Sequence, residues 1–93
     1  MVLLRQHNEI GYTLCRTQGG KLMRGPIAEG SSSAVRVRMA CPPGTQLEGL
    51  FHTHPGGVAR PSAVDMATAR RVGAKIMCID ADGELRCFRP RRR

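Results

Sequence analysis

The sequence predicts an α+β domain, a small, mostly antiparallel mixed sheet with one clear helix. Three observations predict it. Short apolar segments of strand length recur between Gly, Pro and Asp-Gly stops. One stretch, residues 62–72, carries both a helix N-cap and a glycine just past its end. The chain has 93 residues, with Tyr12, Phe51 and Phe88 as its aromatics, which permits one thin core of Val, Leu, Ile, Met and Ala.

Residues 10–17 (IGYTLCRT) read as the first strand, closed by the turn Gln18-Gly19-Gly20. Residues 21–28 (KLMRGPIA) read as a poorer strand interrupted by Gly25-Pro26, and Glu29 to Ser33 as a loop. Residues 34–41 (AVRVRMAC) put Val35, Val37, Met39 and Cys41 on one face and Arg36 and Arg38 on the other, the pattern of a half-buried strand ended by Pro42-Pro43-Gly44. Residues 46–53 form the next strand, stopped by Pro55-Gly56-Gly57. Ser62 then caps a helix, with Asp65 three residues on and Gly73 at its end. Residues 74–80 and 84–89 are the last strands, joined at Ala81-Asp82-Gly83.

The composition excludes several classes. No apolar run approaches the length of a membrane span, and Met1-Val2-Leu3-Leu4 is far too short for a signal-peptide core. None of Cys15, Cys41, Cys78 and Cys87 has CxxC spacing, which argues against a zinc ribbon. Free thiols in a cytoplasmic protein are the expectation. The one exception is Cys78 with Cys87, which face each other across the ladder if Asp82-Gly83 makes a two-residue turn. The net charge is +8, and Arg89, Arg91, Arg92 and Arg93 supply half of it, so residues 1–88 read as the domain and 89–93 as a basic tail. Arg36, Arg38, Arg70, Arg71 and the tail also admit a nucleic-acid surface. That reading is weaker, because no aromatic side chain is interleaved to stack on bases.

His52 and His54 end a strand, where period-2 geometry turns both imidazoles to one face. Asp65 follows at the start of the next helix. Two imidazoles and a carboxylate leave a fourth position on tetrahedral zinc for water, the pattern of a catalytic site. Either half alone is weak: an H-x-H pair is commonly solvated, and Ser-x-x-Asp is a common capping box. Together, His52-Thr53-His54-Pro55 and Ser62-Ala63-Val64-Asp65 reproduce the spacing H-[S/T]-H-P-x6-S-x-x-D at every fixed position.

In this the chain resembles the JAMM/MPN+ metallopeptidases of the JAB domain family, closely over residues 52–65 and loosely over 9–88. The resemblance implies a truncated JAB/MPN (cytidine-deaminase-like) domain with Zn2+ on His52, His54 and Asp65. It makes Ser62 a donor to the oxyanion, a helix cap, or both. It also asks for a glutamate as general base. Glu9, followed by Ile10-Gly11-Tyr12-Thr13-Leu14, is close to the family's E-x-x-G with the glycine one place early. Glu29 is the alternative. Glu48 lies on the His52 strand and face but about 13 Å away, and reads as a surface carboxylate. The implied activity is hydrolysis of a peptide or isopeptide bond, as in the Gly-Gly tail of a ubiquitin-like modifier. The alternative is a non-catalytic binding module with a basic surface.

Only eight residues precede Glu9, and the family's final strand and helix are not evident after Phe88, so the chain reads as a minimal version or a fragment. A missing layer bares apolar sheet surface and predicts a homodimer or a complex. There is little room for a specificity loop, and an open site of this kind suits an extended protein or peptide tail.

Overall fold

The computed structural model describes residues 8–90. Its order is β1 (Ile10–Thr17), β2 (Leu22–Arg24), β3 (Ala28–Glu29), β4 (Thr45–Thr53), α1 (Ala63–Val72), β5 (Ile76–Ala81) and β6 (Glu84–Phe88). The strands form one mixed sheet in the order β2-β1-β4-β5-β6, with β3 also on β1. All pairings are antiparallel except β4 with β5. That parallel pair is joined through α1, as a crossover requires. The α+β expectation therefore holds, and so does its mixed, mostly antiparallel sheet.

The helix forms where the sequence places it. Ser62 Oγ accepts from Asp65 N at 3.0 Å, and Asp65 Oδ2 accepts from Ser62 N at 2.9 Å, a reciprocal capping box. Gly73 takes the left-handed conformation at φ 76°, and Ala74 N donates to Ala69 O at 2.9 Å, which closes the helix in a Schellman turn. Ala69, Met66 and Val72 pack onto a core of Leu50, Met77, Ile79, Val37 and Ala74. That core lies on one face of the sheet, the face that also carries Gly11, Thr13 and His52. On the other face Tyr12 stacks on Phe51 with centroids 4.6 Å apart, and the Arg24 guanidinium lies 5.7 Å from the Tyr12 ring. Among the described residues no helix covers that second face.

Three expectations are corrected, and the interruption foreseen at Gly25-Pro26 is sharpened into two separate strands. Residues 34–41 are not a strand. The alternation survives in part, since Val37 is buried in the core between exposed Arg36 and Arg38. The edges of β1, however, are taken by β4 on one side and by β2 and β3 on the other, so this segment crosses over the sheet face instead of joining it. Its anchor is the Thr13 hydroxyl, which donates to Ala40 O at 2.7 Å. The poor strand at 21–28 is split at Gly25-Pro26 into β2 and β3, as a residue without an N–H dictates. The thiols are not free: Cys78 bridges Cys87 directly across the β5–β6 ladder, and Cys15 bridges Cys41, tying the 34–41 segment to β1. Finally, the β1–β4 register shifts between Leu14 and Cys15, so Glu48 opposes no residue and Leu47 reaches the core in its place. The period-2 count from His52 that gives Glu48 the same face stops at this bulge.

Among the described residues no helix is long and apolar enough to cross a membrane. Arg91, Arg92 and Arg93, the bulk of the basic tail, lie outside the described residues.

Candidate metal centre

The site forms where β1 begins, β4 ends and α1 begins. Gly11 pairs with His52 in the sheet, which brings the residues before Gly11 beside the histidine pair. Thr53, between the two histidines, strengthens that junction, because its hydroxyl accepts from Ile10 N at 2.8 Å. Glu9 is clamped in turn by the chain at 30–31: Glu9 N donates to Ser31 O at 2.6 Å and Gly30 N to Glu9 O at 2.9 Å. The outcome is a glutamate only 8% exposed, held beside two imidazoles. Glu9, His52 and His54 offer ligand atoms within 4.8 Å of one another.

Asp65 approaches from α1. Its Oδ1 is 3.5 Å from His52 Nδ1 and its Oδ2 is 3.5 Å from His54 Nε2. Two donors sharing one tetrahedral zinc at bond lengths near 2.1 Å stand about 3.4 Å apart. The spacing of Asp65 to each imidazole is thus that of co-ligands, and longer than a good hydrogen bond. Each histidine presents a suitable atom. His54 Nδ1 lies 3.0 Å from Val58 O, so a proton on Nδ1 leaves the Nε2 lone pair facing Asp65, the usual outer support of a metal-bound imidazole. His52 Nδ1 is buried with no hydrogen-bond partner among the described residues. An unpaired buried nitrogen costs stability, and a metal ion relieves that cost. The donor set fits zinc: neutral imidazole and carboxylate, with no thiolate among them.

Electrostatics point the same way. Burial pushes the His52 pKa down, opposed by the Asp65 charge and assisted by His54, so the ring favours its neutral, metal-binding form. Burial pushes the Glu9 pKa up, with His54 pulling it down and Asp65 pushing it up, which makes Glu9 a better proton acceptor than an ordinary carboxylate. The surrounding cleft opens to solvent past exposed Ser33, Ser62 and Val64.

Of the residues singled out in the sequence, Glu9, His52, His54, Ser62 and Asp65 all line this cleft. Glu29 does not. It accepts from Asn8 Nδ2 at 2.9 Å and pairs with Ile10 in the ladder. Glu48 binds Arg16 at 3.3 Å, away from the site. Three further residues contribute: Gly11, which entered the sequence reading only as the displaced glycine after Glu9, and Val58 and Asp82, which carry no motif signal. Gly11 lies so close to His52 that a Cβ there would sit 3.2 Å from the ring. Val58 supplies the carbonyl under His54. Asp82 accepts from Gly56 N at 2.9 Å, holding the loop after His54 at its positive-φ glycine. The alternation of β1 could have found the first of these, since Gly11 is the sole residue on the buried face of that strand beside the histidines.

A model of the family described as prokaryotic homologs of the JAB domain matches residues 5–91. The crystal structure of a JAB1/MPN domain protein from Archaeoglobus fulgidus is similar with a TM-score of 0.58 and 20% identity, over 88% of this chain and 70% of that one. At that identity the likeness speaks for the fold. No curated protein matches the chain.

Proposed function

The chain belongs to the family of prokaryotic homologues of the JAB domain, and from that premise we propose that it is a zinc-dependent hydrolase of peptide or isopeptide bonds. The observation that carries the reading is the placement of Asp65 at 3.5 Å from both imidazoles, with Glu9 on the cleft wall beside them. On this reading His52, His54 and Asp65 hold the zinc. Bound there, zinc supplies Lewis acidity, polarising a carbonyl and bringing the pKa of water to roughly 7.

The chain's own groups do the rest. Glu9, its proton affinity raised by burial, takes a proton from the attacking water and delivers it to the leaving amine. Ser62 Oγ already accepts from Asp65 N, which leaves its hydroxyl hydrogen free to point into the cleft at developing negative charge. Position at a helix N-terminus favours that charge further. The open cleft suits an extended tail, and the family resemblance makes a Gly-Gly tail of a ubiquitin-like modifier the substrate class of this reading.

Glu9→Gln is the test. Zinc-loaded protein should hydrolyse a Gly-Gly-linked peptide, and the variant should keep its zinc while losing about 100-fold or more of the rate. A zinc-loaded native protein that cleaves no such peptide, or a variant of unchanged rate, contradicts the reading and favours a binding module.

A further inference from the structure

The catalytic cleft does not stand alone. His52, Asp65, Val35 and Val64 also line a second groove of about 500 Å³, which runs along α1 between the helix and the 35–39 segment. Thr68 and Arg71 of α1 and Arg36 of the irregular segment line it as well. Arg71 in turn lines a third cavity, a cleft at the helix C-terminus with Arg70, Lys75 and Arg89 on its walls. The three cavities adjoin through these shared wall residues, a track along which cations gather away from the metal centre. Asp65, committed to the centre and the helix cap, is the single carboxylate on the two outer cavities. Among the described residues Arg16 and Arg86 alone of the lysines and arginines form ion pairs, so Arg36, Arg70, Arg71, Lys75 and Arg89 keep their charge uncompensated.

Such an arrangement has a cost. Cations gathered without acids repel one another and weaken the fold locally. The helix dipole offsets part of this at Arg70 and Arg71.

We propose that this track selects the substrate: it receives an extended peptide whose acidic residues lie three to five positions from the scissile bond. The proposal rests on the hydrolase reading and names the substrate class of the same site. The spacing follows from the helix. From Asp65 to Arg71 the axis advances about 9 Å, which is about three residues of extended chain. The cleft beyond, with Arg70, Lys75 and Arg89, accounts for one or two more. A peptide is favoured over a nucleic acid because the track begins at a centre built for amide chemistry. No aromatic side chain lines either outer cavity to stack on a base.

The test separates this proposal from the reading it rests on. Binding of fluorescein-labelled decapeptides to zinc-loaded Glu9→Gln protein is measured by anisotropy. The peptides carry a central Gly-Gly with three Glu residues on its N-terminal or C-terminal side, and a control replaces each Glu by Gln. One Glu-bearing peptide should bind about tenfold tighter than its Gln control. The preference should shrink with rising salt and vanish in Arg71→Gln/Lys75→Gln, while circular dichroism and zinc content stay unchanged. Equal binding of Glu and Gln peptides overturns the proposal. So does a duplex oligonucleotide that binds tighter than either peptide and displaces it. Selective binding of the acidic peptide without its cleavage by the native zinc protein sustains the track and refutes the hydrolase.

Discussion

Gly11→Ala tests whether the first strand of the sheet shapes the metal centre. A Cβ built at Gly11 falls 2.7 Å from Val37 Cγ2, 3.1 Å from Phe51 O and 3.2 Å from His52 Cδ2. The first contact is roughly 1 Å inside the favourable carbon–carbon separation. Val37 is 7% exposed and wedged in the core, so its rotation displaces other side chains. Phe51 O belongs to the β4 backbone and yields least. His52 is therefore pushed off its position over Gly11. Overpacking of this kind costs about 1–3 kcal/mol of stability. Disturbing the support of a metal-binding imidazole costs about 10–100-fold in affinity. Thermal melts of metal-free protein report the first quantity, and zinc competition against a chromophoric chelator reports the second. Adding Val37→Ala removes the closest contact and should recover part of the stability, but little of the zinc affinity, because the contacts with Phe51 O and His52 remain. A Gly11→Ala protein that melts lower yet binds zinc as tightly as the native chain refutes this account of Gly11.

Other perturbations separate roles that the geometry superimposes. Ser62→Ala should cost about 1 kcal/mol through the lost cap, and about 10²–10³ in rate if the hydroxyl also stabilises the oxyanion; Ser62→Thr should restore the stability, and an alanine variant of full activity leaves the serine as a cap alone. The His52 pKa is lowered in the fold, so in metal-free protein the unfolded ring takes its proton first, below about pH 6.5. Its contribution to stability is complete above that pH and is lost as the pH falls toward the folded value. Melting temperatures between pH 8 and 5.5 should show this slope, His52→Gln should flatten it, and an equal slope in both proteins would contradict the burial argument. Cys15→Ser/Cys41→Ser opens a bridge across a sequence separation of 26 and should lower stability by about 3.5 kcal/mol. Hydrogen exchange should then localise faster opening to residues 30–41. A loss spread evenly over the sheet would mean the bridge does not hold that segment.

The features that could be read in the sequence are those fixed by neighbours in the chain. The helix was legible because Ser62, Asp65 and Gly73 terminate it locally, and β1, β4, β5 and β6 because period and stops coincide. The candidate metal centre was legible because its spacing, His52 to Asp65, is written within one strand, one loop and one helix turn. Glu9 was harder, since three glutamates competed and only the Gly11–His52 pairing brings one of them to the site. What escaped depends on distant partners. Whether residues 34–41 become a strand depends on a free sheet edge, and β1 has none to give. Cys15 and Cys41 meet only because that segment folds back over β1, which no spacing reveals. The bulge that removes Glu48 from the face of His52 is likewise a property of two strands, and neither sequence shows it alone.

Zinc content is the most direct measurement. The protein is purified, loaded with zinc, dialysed and analysed for metal beside His52→Ala/His54→Ala, with circular dichroism on both. The account predicts one zinc per chain, lost in the variant, with the secondary structure retained. A native protein that folds and holds no zinc, or a variant that holds as much as the native chain, would contradict the assignment of His52, His54 and Asp65 as the metal centre.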